Sequence, residues 1–266
     1  MKVARFAALA AALLCAGCLA STTRPAAVPP AASAPAAASA PTAVPSAAVP
    51  AAKAAPISSG MRWFGYAAER RAIYLETYRT AAAAVERAAA GRAAGSWGVV
   101  LDIDETILDN SPWEREHERT GAPVEPSFGD WCRRAEARPL PGAKEFLARV
   151  RALGGRIDLV SNRDDEVCEA TRRNLDAVGL PYDQILCRVG TSDKNPRFAA
   201  VREGRAPSTL PAHEVVAYVG DNIQDFPGLE QAAAAAAGDE AYAPFGTAWF
   251  ALPNPMYGSW EKTAPK

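Results

Sequence analysis

Between residues 98 and 252, short apolar runs alternate with stretches patterned for helices. The runs are 98–103, 155–160 ("GRIDLV"), 184–188 ("QILCR"), 214–219 ("EVVAYV") and 247–252 ("TAWFAL"). Nearly continuous apolar residues fit strands covered on both faces. Between them, "PGAKEFLARVRALG" (141–154) and "DDEVCEATRRNLDAVGL" (164–180) carry helical patterning and end near glycines. Upstream, "RWFGYAAERRAIYLETYRTAAAAVERAAAGRAAG" (62–95) reads as one or two alanine-rich helices, with Tyr74, Tyr78, Ala82 and Val85 as packing residues. "QAAAAAAGDEAYAPFG" (231–246) predicts a helix and then a loop. Strands alternating with helices predict an α/β fold with a parallel, Rossmann-like sheet, whose ligands bind off the carboxyl ends of the strands. The polar segment 111–138, with Trp113, Phe128 and Trp131, breaks the rhythm. It is expected to form, with 60–96, a small and mostly helical cap over those strand ends.

The N-terminal pattern is different. "MKVARF" and a short apolar run up to Cys18 predict a secretory signal over residues 1–17, too short to span a membrane as a typical helix. "LCAGC" resembles the lipobox of bacterial lipoproteins, which implies cleavage before Cys18 and lipidation on it; an ordinary cleaved signal with an incidental cysteine is the alternative. Leu19 after the cysteine suits an outer-membrane destination if the host is Gram-negative. Residues 18–57 are almost only Ala, Pro, Ser, Thr and Val, which predicts a disordered, polyproline-like tether without a core. Residues 58–266 remain for one folded domain.

The net charge of −1 excludes a global field favouring nucleic acid. Of the five cysteines, Cys132, Cys168 and Cys187 lie in the folded part without CxxC spacing. No zinc site is indicated, and one pair is free to bridge in an oxidising compartment, which pair being left open.

Chemistry concentrates at the ends of the predicted strands. The first ends in "VVLDIDETILDN" (99–110), where Asp102 and Asp104, two apart on a strand, are expected on one face. Two like charges so placed repel unless a cation or proton lies between them. The second gives "SNR" (161–163), the third is followed by "TSDKNPR" (191–197) with Lys194, and the fourth runs into "GDNIQDF" (220–226) with Asp221 and Asp225. On one sheet edge these supply carboxylates for Mg²⁺, a hydroxyl at a strand-to-helix turn for phosphate, and a compact positive charge for the same group. The set predicts phosphoryl transfer. His117 and His213 are expected to be non-catalytic.

"DIDET", "SNR", the lysine and "GDNIQDF", in that order, resemble the four motifs of the haloacid dehalogenase (HAD) superfamily phosphatases. The C-terminal "LPNPMYGSWE" (252–261) is similar to the closing signature of one branch, the class C nonspecific acid phosphatases, bacterial lipoproteins that include 5'-nucleotidases. The resemblance covers roughly residues 60 to 266. It implies that Asp102 is the nucleophile and forms an aspartyl-phosphate. Asp104 is implied as general acid and base, and Ser161, Asn162 and Lys194 as the phosphate holders. Mg²⁺ is implied at Asp102, the Asp104 carbonyl and Asp221, with Asp225 orienting that shell. Glu105, Thr106 and Asp109 are expected to support the first motif. Because free Asp titrates near ~3.9, an aspartate acid implies an acidic pH optimum.

Trp131 and Tyr257 are candidates for stacking on a nucleoside base, or else simply pack the cap. The expected activity is therefore Mg²⁺-dependent hydrolysis of small phosphate monoesters, nucleoside 5'-monophosphates among them, by an enzyme held to a membrane through Cys18. The alternatives are a phosphotransferase of the same mechanism and an inactive binding lipoprotein on the same scaffold.

Overall fold

The computed structural model describes residues 56–120 and 127–263. The expected signal 1–17, Cys18, nearly all of the tether and residues 121–126 of the expected cap lie outside the described residues. Strands are β1 (Trp97–Leu101), β2 (Leu108–Asp109), β3 (Arg138–Pro139), β4 (Arg156–Asp164), β5 (Gln184–Arg188), β6 (Glu214–Gly220) and β7 (Trp249–Ala251). Helices are α1 (Ser59–Tyr66), α2 (Ala68–Ala89), α3 (Ser111–Thr120), α4 (Phe128–Arg134), α5 (Ala143–Ala152), α6 (Cys168–Val178), α7 (Asn195–Glu203) and α8 (Gln231–Ala236). All five apolar runs contribute strands to one parallel sheet in the order β5-β4-β1-β6-β7. The antiparallel pair β2–β3 stands apart from it. Among the described residues no helix is long and apolar enough to cross a membrane.

Side chains of β1 alternate between two cores, as strand geometry requires. Val99 and Leu101 join a large core with α2, α5 and α6, while Val100 joins Phe198 and Val201 of α7 on the other face. Both faces are thus covered, which is why the runs lack polar alternation. Helix α2 packs on α5, β6 and β7. Its length, Ala68–Ala89, therefore belongs to a layer of the sheet and not to the expected cap. An alanine-rich helix offers a flat surface that lies close against a sheet, which a cap over a cavity does not need. What reaches over the strand ends is α3 and α4 of the inserted segment, with α1 packed on α3.

Two more expectations change. Strand β1 stops at Leu101, so Asp102 and Asp104 stand on the turn beyond it and not on one strand face. Strand β4 continues to Asp164, which pairs with Arg188 of β5, so "SNR" lies within the strand. A disulfide joins Cys168, the first residue of α6, to Cys187 of β5, and Cys132 is free and buried. Closing a loop of that size is worth about 3 kcal/mol against the unfolded chain.

The opposite end of the sheet is locked by a buried ion pair. His213 Nε2 lies 2.8 Å from Asp158 Oδ2 and its Nδ1 lies 2.9 Å from the Pro211 carbonyl. The Pro211 carbonyl and an ionised Asp158 both accept, a setting that favours the doubly protonated, positively charged ring. Asp158 Oδ1 takes a further hydrogen bond from Gln184 Nε2 at 2.6 Å, so β4, β5 and the entry to β6 are tied together. A Cβ on Gly98 of the central strand would lie 2.8 Å from the Arg156 carbonyl and 3.1 Å from the His213 ring, which is why that position is glycine.

Burial and the nearby Arg156 push the His213 pKa down, but Asp158 and the Pro211 carbonyl outweigh them and the net shift is upward. The folded state then binds this proton more tightly than the unfolded chain, whose histidine titrates near ~6.5. The stabilisation is complete below that value and is lost as pH rises through the folded one. The melting temperature of the wild type should exceed that of a His213→Gln variant by more at about pH 6 than at about pH 9. A gap that widens with pH would contradict a charged His213.

Candidate active site

Asp102, Asp104, Lys194, Asp221 and Asp225 converge on one cavity of about 430 Å³ at the carboxyl edge of the sheet. Its walls also carry Glu114, Glu261 and Lys262, so six acids face two bases. An anionic phosphate cannot enter such a space cheaply unless a cation offsets the field.

Local structure explains how each group arrives. Asp102 leaves β1 with its N–H bonded to the Val219 carbonyl of β6, which sets the acid at the strand end. The following turn bends at Glu105, a non-glycine residue at φ 49°. That conformation costs roughly 1 kcal/mol, and several bonds offset it. The hydroxyls of Tyr74 and Tyr78 donate to the carbonyls of Glu105 and Thr106, so the packing tyrosines of α2 also hold this turn. The buried Glu105 carboxylate accepts from the Asn110 N–H at 2.8 Å and from the Tyr257 hydroxyl. Burial and the charge of Asp104 raise its pKa well above the usual carboxylate range against these bonds.

Asp225 is placed by the spacing of "GDNIQDF". Its Oδ2 accepts from the Asn222 N–H at 2.9 Å while Asn222 Oδ1 accepts from Gln224, a reciprocal cap on a short 3₁₀ turn. A Cβ on Gly220 would lie 2.3 Å from the Asp225 side chain, so only glycine lets that acid fold back. Asp221 accepts from Thr106 Oγ1 at 3.2 Å and from Asn254 Nδ2 at 2.9 Å. Lys194 stands at the N-cap of α7 and donates to Asp102 Oδ1 and Asp225 Oδ1, each at 2.6 Å.

Charge is expensive here. Burial, with Asp225 and Asp104 adding repulsion, pushes the Asp102 pKa up to about 7 although Lys194 pulls it down. Burial, then Asp225 and Asp102, also raises Asp221 well above the usual carboxylate range. Lys194 is held above its ordinary value, burial being outweighed by Asp102 and Asp225. Oxygens of Asp102, Asp221 and Asp225 lie within 4.8 Å of one another. Oxygens facing each other across Mg²⁺ stand ~4.2 Å apart, so this all-oxygen set fits a hard divalent cation. Asp104 stands outside that cluster: its side chain is held by Arg163 and Asn110.

The remaining expected residues divide. Asn162 lines the cavity, its Nδ2 bonded to the Ser192 carbonyl and its Oδ1 to Arg197. Ser161 does not reach the cavity: it is fully buried inside β4, and its Oγ accepts from the Arg163 N–H. The expected helix N-terminus is also absent there, because β4 and a 3₁₀ turn precede α6. Trp131 is buried and donates its indole N–H to Asn110 Oδ1 at 2.8 Å, so it offers no face to a base. The aromatic residues lining the cavity are Trp113, Phe128 and Tyr257. Asn110, Arg163, Arg197 and Asn254 were not singled out from sequence, although all four lie inside or beside the motifs.

The chain matches the family described as HAD superfamily, subfamily IIIB (Acid phosphatase), over residues 19–260. It belongs to that family. Among solved structures it is similar to the class C acid phosphatase of Bacillus anthracis, with 33% identity, TM-score 0.68, and coverage of 76% of this chain and 85% of that one. The same Bacillus protein with tungstate bound matches at 32% identity, TM-score 0.68 and the same coverage. The chain is also 25% identical over 161 residues to Acid phosphatase 1 of Solanum lycopersicum. That match spans 59% of this chain and 57% of the tomato protein.

Relief of carboxylate repulsion should appear as metal-dependent stability. A divalent cation at about 100 times its Kd stabilises a fold by about 2.7 kcal/mol. Mg²⁺ is expected to raise the melting temperature of the wild type, and Asp221→Asn to abolish most of that rise without lowering the metal-free melting temperature. An equal Mg²⁺ shift in both proteins would remove Asp221 from the cation site.

Proposed function

We propose that the chain is a Mg²⁺-dependent acid phosphatase that hydrolyses small phosphate monoesters through Asp102. The observation that carries this reading is the pairing of Asp102 with Lys194 beside two further carboxylates suited to a divalent cation, on the floor of one cavity. A general acid candidate, Asp104, lines the same space. The tungstate bound to the Bacillus relative is a tetrahedral oxyanion like phosphate, which agrees with this substrate class.

With Lys194 on Oδ1 of Asp102, Oδ2 attacks phosphorus. The bond from phosphorus to the leaving oxygen breaks, and Asp104 gives that oxygen its proton. A water then attacks the aspartyl-phosphate, gives a proton to Asp104 and returns Asp102 to its carboxylate. Asp102 and Asp221, with Asp225 orienting them through Lys194 and Asn222, would hold Mg²⁺, which would supply positive charge against the repulsion between carboxylates and phosphate. Asn162 and Lys194 hold the phosphate oxygens. Tyr257, Trp113 and Phe128 give the cavity flat apolar faces that suit a nucleoside, so nucleoside 5'-monophosphates are the proposed preferred class. A lipid on Cys18 would tether the enzyme outside the cytoplasm, at the outer membrane of a Gram-negative cell. The Cys168–Cys187 disulfide supports an oxidising compartment.

The test follows inorganic phosphate released by the full chain from p-nitrophenyl phosphate and from nucleoside and sugar monophosphates, with Mg²⁺ or chelator. Activity should require the metal and fall at least ~10³-fold in Asp102→Asn. Turnover that survives Asp102→Asn would sink the mechanism. Mg²⁺ binding without turnover of any ester would leave a binding lipoprotein instead.

A further inference from the structure

Arg163, the last residue of "SNR", is buried behind Asp104, and each of its three guanidinium nitrogens donates a hydrogen bond. Nε donates to Asp104 Oδ1 at 2.9 Å, and Nη2 lies 2.8 Å from the same oxygen. Nη2 also donates to Asn110 Oδ1 at 3.2 Å and Nη1 to Thr171 Oγ1 at 3.1 Å. Asn110 Nδ2 is a second hydrogen-bond donor to Asp104 Oδ1, at 2.7 Å. Asn110 is itself fixed by Trp131 and Glu105, and Thr171 by the Val167 carbonyl.

Two N–H donors, Arg163 Nε and Asn110 Nδ2, therefore converge on one oxygen of one carboxylate, and Arg163 Nη2 adds its charge beside the same oxygen. An oxygen with both lone pairs filled in this way has no room for a proton, and a hydrogen there would face the two donor hydrogens. Arg163 never gives up its own charge, so the arrangement is permanent. We propose that Arg163, with Asn110, is a positioning residue that closes Asp104 Oδ1 and leaves Oδ2 as the single oxygen that gives a proton to the leaving group and takes one from water. The same clamp fixes the carboxyl plane, so the proton is presented along one direction at the cavity wall. This inference rests on Asp104 being the acid and base of the reaction proposed above.

The readout is how kcat/KM depends on the leaving group, measured on the full chain. p-Nitrophenol departs as a stable phenolate and needs little help from an acid, whereas an alkyl alcohol needs the proton as its bond breaks. In Asp104→Asn the loss should be far greater for an alkyl phosphate than for p-nitrophenyl phosphate. Arg163→Lys keeps the charge but not the two-pronged hold. Its loss should also be larger for the alkyl ester, by at least about 10-fold, as expected when general acid catalysis is weakened. Thr171→Val, which loosens Arg163 without touching Asp104, should shift the ratio the same way by less. It decides the matter by the same ratio if Arg163→Lys does not fold.

Equal losses for both esters, or no loss, in the Arg163 and Thr171 variants would overturn the positioning role while the Asp104→Asn result stands. An Asp104→Asn variant without leaving-group dependence would instead remove Asp104 as the acid.

Discussion

Oxygens of Asp102, Asp221 and Asp225 lie within 4.8 Å of one another in a largely buried corner, with Lys194 as the cation that bridges two of them. Repulsion among charges so placed, in a medium that screens them weakly, opposes folding by itself. Much of the surrounding structure serves to hold this corner together. The Val219 carbonyl takes the N–H of Asp102, Thr106 and Asn254 donate to Asp221, and the Asn222 N–H donates to Asp225. The bonds to Asp221 and Asp225 favour charged carboxylates that burial disfavours, while the Val219 bond places the Asp102 backbone. The corner therefore gathers carboxylate oxygens whose mutual repulsion a hard divalent cation would offset.

Within this frame the two acids of the first motif are separated by their partners and not by distance along the chain. Asp102 faces Lys194 and the acidic cluster, while Asp104 faces Arg163 and Asn110. One environment suits a nucleophile beside a cation site, and the other suits a group that must exchange a proton in a fixed direction. The C-terminal signature joins the two halves. Asn254 binds Asp221, Tyr257 binds Glu105 of the turn, and Ser259 Oγ lies 2.8 Å from Asn222 Oδ1. A segment that reads as a family tag is thus the outer wall of the cavity.

The five strands were legible because residues covered on both faces leave continuous apolar runs, and the acids at their ends because nothing in folding favours such charge crowding. What stayed hidden was information carried by pairing across long separations. Ser161 looked like a turn hydroxyl, yet the pairing of Asp164 with Arg188 extends β4 past it and buries it. Trp131 read either as a platform for a base or as packing of the cap, and its burial and bond to Asn110 decide for the second. Tyr74 and Tyr78 read as packing residues, which they are, but their hydroxyl contacts 31 and 28 residues away carry no local signature. The cap was misjudged in extent because an alanine-rich helix looks the same whether it covers a sheet or a cavity.

The disulfide bears on the chemistry through the same kind of remote support. Cys168 begins α6, and its bridge to Cys187 fixes that end of the helix on β5. Thr171, one turn on, hands its hydroxyl hydrogen to the Val167 carbonyl and accepts from Arg163, which holds Asp104. A continuous path of covalent and hydrogen bonds thus runs from the outer strand of the sheet to the Asp104 carboxyl. Arg163 also lies across the face of Phe128, 5.9 Å from its centroid, so the cap segment rests on the same guanidinium. One buried cation therefore touches the acid, the helix that braces it and the wall of the substrate cavity. That shared contact makes the orientation of Asp104 depend on the integrity of the whole edge of the domain and not on the motif turn alone.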